Sequence, residues 1–358
     1  MSGIRLYRSN SLERLADRFC RDVSSAPLPP LEQELVLVQS IGMGRWLSLS
    51  AAEHLGVWAN VRYLYPNAFL DLVFSSVLAG YDAKRQMSKH LAAWRIMEEL
   101  PRLTALPQYE PLAGYLGDGS VIKLFQLSEK IADMYDQYIA SRPDMVLCWD
   151  RGEDVSVTQA GKGALANEDL WQSDLWRRVR SALPVEHRGN LRERFLPALS
   201  GLSSVPGIRR ISVFGASTLP PFHVGILQSL SDVLPVSFYL LSPTRHYWGD
   251  IAGQRAQIRI ERKRGRRIDE DEHYAKGNSL LASLGDLGRE FSDILSFASD
   301  FDMTENDDFI SERGDTLLHR LQDDICELRD REERSVVSTS DRSIQIHSCH
   351  SVMREVEV

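Results

Sequence analysis

Up to Leu64 the apolar positions switch between short unbroken runs and a spacing of three and four, which predicts alternating strands and helices. Ile4-Arg5-Leu6-Tyr7 reads as a short strand, and Ser9 or Asn10 can cap the helix after it. Leu12, Leu15, Ala16 and Phe19 give that helix one apolar face. Pro27, Pro29 and Pro30 then make a hard break. Glu34–Val38 holds an apolar run too short for a helix, as a buried parallel strand requires. The turn Gln39-Ser40-Ile41-Gly42-Met43-Gly44 leads into a second helix that ends near Gly56. Val61–Leu64 is a third strand, and Tyr65-Pro66-Asn67 opens another helix. This order predicts a parallel sheet with helices packed on it.

Beyond residue 67 the period becomes helical almost throughout, to about residue 200. Leu91–Leu100, Ile122–Tyr138 and Leu170–Ala182 are the clearest stretches, punctuated by Pro101, Pro107, Pro143 and Pro184. The sheet pattern returns at Arg210–Gly215, followed by a helix over Val224–Leu234 and a strand over Val236–Leu241. Arg245–Lys276 is irregular and highly charged, and helices resume over Leu280–Ser299 and Asp315–Arg331. A polar linker, Ser335–Asp341, precedes an expected last strand, Ser343–His347. The chain stops in what reads as the first turn of a helix, so a fragment of a longer protein is expected. The expected fold is α/β: a parallel-sheet domain (1–66 and 205–358) interrupted by a large helical insertion (67–204). That arrangement is common among RecA-like helicase motors.

Composition changes this picture little. The chain has 358 residues, 43% hydrophobic and 26% charged, as in ordinary globular proteins. No apolar run reaches the roughly 18 residues of a membrane span, and the start lacks the pattern of a secretory signal, so a cytoplasmic location is expected. Cys20, Cys148, Cys326 and Cys349 are scattered and read as reduced thiols. His347, Cys349 and His350 could in principle hold a metal, but no second ligand pair accompanies them. The net charge of −8 argues against a protein that coats duplex DNA on its own. It is compatible with a positive channel inside an otherwise acidic subunit of a larger machine.

Catalytic patterns are wanting. A phosphate cradle needs GxxxxGK[ST], and the turn Gln39–Trp46 has two glycines but neither the Lys nor the hydroxyl residue. Gly161-Lys162-Gly163 has Ser156 where the first glycine belongs, and it falls in a polar loop. Asp133 and Asp136 share a helix face, and Asp323-Asp324 and Asp300–Asp308 are acidic clusters. No nuclease signature goes with them, and GxSxG does not occur. The basic run Arg255, Arg259, Arg262, Lys263, Arg264, Arg266 and Arg267 is followed by Asp269–Glu272, which reads as an internally paired surface hairpin or a phosphate-contacting loop. Arg188, Arg192 and Arg194 form a smaller basic cluster around Asn190.

Val36–Leu47, read as Val-Leu-Val-Gln-Ser-Ile-Gly-Met-Gly-Arg-Trp-Leu, resembles the N-terminal signature of RecC, the gamma subunit of exodeoxyribonuclease V. Gly56–Asn60, Leu124–Ser128, Asp133–Tyr138 with Arg142-Pro143, Leu219-Pro220-Pro221, Tyr247-Trp248-Gly249-Asp250 and His347–Val358 match in order. They span nearly the whole chain. The resemblance implies a superfamily 1 helicase-like, RecA-like fold that is inactivated, with no catalysis and no cofactor in this chain. ATP and Mg are expected only in partner subunits.

Partners implied are RecB, RecD, single-stranded DNA and duplex DNA ends, with no membrane. The implied role in double-strand-break repair is to guide the 3′-ended strand and scan it for Chi. The alternative is a scaffold that docks RecB or RecD while DNA is held elsewhere. Positions matching the family's reading region are Gln39, Ile41, Arg45, Tyr65, Asp71, Asp133, Met134, Asp136, Gln137 and Arg188. Gln, Asp and Arg can pair with base edges, and Tyr can stack on an unpaired base. Ile41, Arg45 and Asp71 depart from the best-known family pattern, so an altered sequence preference is expected.

Overall fold

The computed structural model describes residues 3–117, 119–158, 161–183, 185–249, 251, 277–297, 301–302, 308–311, 314–330 and 336–357. The first part of the chain alternates as its periodicity predicts: β1 (Ile4–Ser9), α1 (Leu12–Ser25), β2 (Glu34–Leu37), α2 (Ile41–Leu55), β3 (Val61–Leu64) and α3 (Pro66–Val77). Ser11 caps α1 by accepting from the Arg14 N–H, Ser40 caps α2 by accepting from the Met43 N–H, and Pro66 sits in the first turn of α3, where its missing N–H costs nothing. The helical stretch holds α4 (Lys89–Leu103), α5 (Glu110–Leu116), α6 (Val121–Ser141), α7 (Pro143–Asp150), a hairpin of β4 (Val155–Thr158) and β5 (Gly161–Ala164), α8 (Leu170–Ala182) and α9 (Arg188–Ser200). Then come β6 (Ile211–Phe214), α10 (Pro221–Ser231), β7 (Val236–Leu241), α11 (Ser279–Leu284), α12 (Asp286–Phe297), β8 (Phe301–Asp302), α13 (Leu317–Cys326) and α14 (Val352–Glu357).

The strands form one sheet in the order β3-β2-β6-β7-β1-β8, and every pairing within it is parallel. Alternate side chains point to opposite faces, which divides the core in two. Val36, Val38, Tyr7, Phe214 and Tyr239 pack under α1 and α2. Leu35, Leu37, Leu64, Val213 and Phe238 pack under α3, α9 and α10. A separate apolar cluster joins α4, α6, α7 and α8 around Trp149, Trp176 and Tyr135. So Phe69 and Phe74 of α3 and Leu191 and Phe195 of α9, all within 67–204, belong to the core of the sheet. Among the described residues no helix is long and apolar enough to cross a membrane.

Four local expectations are corrected. Gly161–Gly163 is not a loop but part of strand β5, antiparallel to β4. Pro101 does not end its helix; it lies in the last turn of α4. Leu280–Ser299 is not one helix, because Gly285 caps α11 before α12 begins. Ser343–His347 is not a strand: its Ser343 hydroxyl accepts from the Leu318 N–H of α13, and Asp341 just ahead of it accepts from the Leu317 N–H. Ile346 is left 93% exposed. The basic run Arg255–Arg267 and the acidic run Asp269–Glu272 lie outside the described residues.

Candidate functional site

Strands β2 and β6 are neighbours, but the chain leaves them in opposite directions. After β2 it enters α2 on one face, and after β6 it enters α10 on the other. Diverging connections open a crevice at the carboxyl ends of a parallel sheet, the usual place for a ligand in such folds. Gln39 spans this crevice. Its Oε1 accepts from the backbone N–H and the hydroxyl of Ser217, each at 3.0 Å, and its Nε2 donates to the Thr218 carbonyl. Ile41 is 74% exposed at the start of α2, and Arg45, one turn on, is exposed beside it. Gly44 is buried against the Tyr63 ring, 3.2 Å from where a side chain would begin, so α2 lies close to the sheet. Leu47 is fully buried and Trp46 packs beside Phe214, which places both in the core.

On the other face α9 packs against both α3 and α10. Tyr65 precedes α3 and is partly exposed. Asp71 accepts from the Tyr81 hydroxyl at 2.6 Å, and burial together with that carboxylate pushes the Tyr81 phenol up. Arg188 opens α9. Its neighbour His187 caps the helix, with Nδ1 accepting from the Gly189 N–H and Nε2 2.7 Å from Asp150. Asp150 also accepts from the Trp176 indole at 2.8 Å. Of the three arginines predicted as a cluster, Arg192 pairs with Asp144 and Arg194 with Glu186. Arg188 makes no hydrogen bond or ion pair among the described residues, and its positive charge works to lower the Tyr81 phenol and the His223 imidazole. His223 is 2% exposed in the first turn of α10. The Pro66 carbonyl faces its ring but lies outside hydrogen-bonding geometry, so neither ring nitrogen has a partner. Burial first, then the Arg188 charge, pushes the imidazole down to about 4, so it is neutral near pH 7.

The remaining expected residues lie on α6, which packs against α9 and α10. Asp133 pairs with Lys89 at 2.5 Å. Asp136 and Gln137 are exposed, while Met134 packs against the helical cluster. Gln39 and Ile41 thus follow the carboxyl end of β2 and Tyr65 that of β3, with Arg45 one turn down α2 and Arg188 at the start of α9. Asp71 stands a turn and a half into α3, and the α6 residues form a separate row on an adjoining helix. Lys162 is held by Glu153 across the β4–β5 hairpin. Among the described residues no three His, Cys, Asp or Glu side chains are gathered as a metal site would need.

Residues 4–328 match the family described as RecC, N-terminal domain. The chain belongs to the RecC family. The RecBCD enzyme subunit RecC of Escherichia coli K12 is 32% identical over 99% of this chain, which covers 34% of that protein. The RecBCD enzyme subunit RecC of Haemophilus influenzae is 30% identical, with 99% and 36% covered. That of Mycolicibacterium smegmatis is 26% identical, with 99% and 31% covered. The chain spans about a third of the length of these RecC relatives. Ser217, Thr218, Tyr81 and His223 were not singled out in the sequence. Only the strand order brings the loop of Ser217 and Thr218 beside Gln39, although Leu219-Pro220-Pro221 marked that loop as distinctive.

Proposed function

We propose that this chain is a non-catalytic DNA-path module of a RecBCD-type helicase–nuclease, acting with RecB and RecD in double-strand-break repair. It guides the 3′-ended single strand along the carboxyl edge of an inactivated, RecA-like sheet and scans it for a Chi-like sequence. ATP and Mg act in the partner subunits. The observation that supports this reading is that Gln39 and Ile41 follow β2, beside the loop after β6, and Tyr65 follows the neighbouring β3, all at the carboxyl ends of the sheet, while Arg188 opens α9. Those residues come from three separated stretches of sequence, and they match the family's reading region. Exposed Arg45 supplies a cation beside the crevice in an otherwise acidic chain.

The test is single-stranded DNA binding titrated in salt. Binding should weaken with salt and fall about tenfold or more in an Arg45→Ala, Arg188→Ala variant, in line with the loss of two phosphate contacts. Gln39→Ala should weaken binding to every sequence alike, because its amide joins the two loops that frame the crevice. Binding indifferent to all three substitutions would overturn the reading.

A second reading has its own observation. Leu91 and Trp94 of α4, Tyr115 of α5, and Val121, Ile122 and Phe125 of α6 are all exposed. Trp94 and Phe125 stand 5.8 Å apart between ring centroids. Contiguous exposed apolar side chains of this kind mark protein interfaces, so this face favours docking of a partner subunit. It lies on the helical cluster, away from the crevice, and the two roles are compatible.

A further inference from the structure

The carboxyl edge that carries Tyr65 and Gln39 continues past the crevice. In the order β3-β2-β6-β7-β1, strand β7 stands two strand spacings from β2, about 10 Å away. There the ends of β7 and β1, with α11 and α12 beyond them, frame a pocket of about 390 Å³, within the roughly 300–1,000 Å³ common for small-molecule sites. Ser217 belongs to both places. It lines the pocket, and its backbone N–H and hydroxyl are the donors that Gln39 accepts from at 3.0 Å. The walls are largely apolar, and Leu240, Trp248 and Phe291 are buried in them. Gly285 and Gly288 let the α11–α12 junction close on the Trp248 ring, which an added Cβ would meet at 2.7 and 3.2 Å. Leu241, Leu280 and Leu284, from 41% to 83% exposed, mark the open side, where apolar surface stays in water until something covers it.

We propose that this pocket takes one unpaired base of the guided strand. A base offers two apolar faces to the leucine walls, and its polar edge is left toward Ser217 and Arg8, which line the strand side. Apolar walls carry no base-edge code, so the pocket holds any base by face contact and burial. An apolar side chain of a protein partner would also fit such walls. The pocket lies on the same sheet edge as Gln39 and Tyr65, however, and shares Ser217 with the crevice, which favours the strand. The inference rests on the proposed strand path and deepens it, by adding a holding site beside the reading positions.

Two measurements separate this inference from the path it rests on. In the first, the chain labelled at its leucine methyls is titrated by NMR with an oligothymidylate and with an abasic oligomer of the same length, which keeps the phosphates and lacks the bases. The Leu280 and Leu284 signals should shift with the first and stay still with the second. The second is the salt dependence of binding by a Leu280→Ser, Leu284→Ser variant. It should bind oligothymidylate and oligocytidylate about tenfold more weakly, as for the loss of one base contact, with the slope of log affinity against log salt unchanged. Leu287→Ser, at an exposed α12 position outside the pocket, should bind like the parent. Strand binding with unmoved Leu280 and Leu284 signals would overturn the base pocket, leave the path intact and assign the pocket to a partner's apolar side chain. Equal shifts with the abasic oligomer would overturn it too, as would a double variant that binds like the parent or an equal loss in Leu287→Ser. If neither oligomer binds, the path falls and free thymidine decides the pocket: shifted Leu284 signals uphold it, and unmoved ones overturn it as well.

Discussion

Arg188, Arg192 and Arg194 are one residue type on one helix, yet the structure gives them different work. Two are neutralised by Asp144 and Glu186, and the third has no ion-pair partner among the described residues. Residue type was legible in the sequence, and partnership was not, because the partners come from other elements. Gln39 makes the same point. It was expected to read a base, but its amide already makes three bonds to Ser217 and Thr218, so base pairing there would break them. The position of Arg188 depends in turn on Asp150, which receives bonds from His187 and Trp176. Burial of Asp150 works to raise its carboxyl, but the His187 and Trp176 bonds and the Arg180 charge outweigh it and hold the group below its ordinary 3.8. Its native value is depressed, so its contribution is complete above that ordinary value and is lost as the pH falls through the lowered one. Asp150→Ala should cost about 2–3 kcal/mol near neutral pH, by stranding two buried donors. Urea melts across pH 2–5 (about the aspartate range) should show Asp150→Asn with a flatter acid limb than the parent. Parallel limbs would refute the assignment.

At the scale of elements, hydrophobic period and capping chemistry carried most of the information. Strands β1, β2, β3, β6 and β7 fall where short apolar runs predict them, since a parallel strand buried on both faces has little else to be. The misses have local causes. A strand was expected at Ser343–His347, but alternation without a neighbouring strand offers no ladder, and Ser343 instead accepts from the Leu318 N–H in the first turn of α13. A single helix was expected across Gly285, where the chain ends one helix and starts another. Gly215 shows a close fit between elements: it has φ +61°, and an added Cβ would sit 2.9 Å from the Met43 side chain at the start of α2. Gly215→Ala should therefore lower stability by about 2 kcal/mol, from left-handed backbone strain plus the clash. It should also weaken strand binding by displacing the loop that Gln39 holds. A thermal melt within about 0.5 kcal/mol of the parent would show that the turn adapts.

For the molecule as a whole, the sheet and the helical cluster present different surfaces to solvent. The sheet edge offers polar side chains in a crevice, and the helical cluster offers the Trp94–Phe125 face. The double substitution Trp94→Ser, Phe125→Ser should cost about 1–2 kcal/mol, since Trp94 is mostly exposed and Phe125 half-buried. If that face docks a partner subunit, the variant should fail to co-purify with RecB and RecD while retaining single-stranded DNA binding. Loss of DNA binding with partner association intact would assign the face to the strand instead.

By itself the sequence determined most of the element types, the family and the residue types at the reading positions, because periodicity, caps and short motifs are local. It also showed that the turn after β2 lacks the Lys and hydroxyl of a phosphate-hydrolysing loop. Only the tertiary structure decided the strand order β3-β2-β6-β7-β1-β8, and with it the crevice between β2 and β6. It alone brought Ser217 to Gln39, and it drew α3 and α9 into the core of the sheet. The physical reason is that strand order and helix docking are set by the mutual burial of surfaces far apart in the chain, and no local pattern encodes which buried face will meet which.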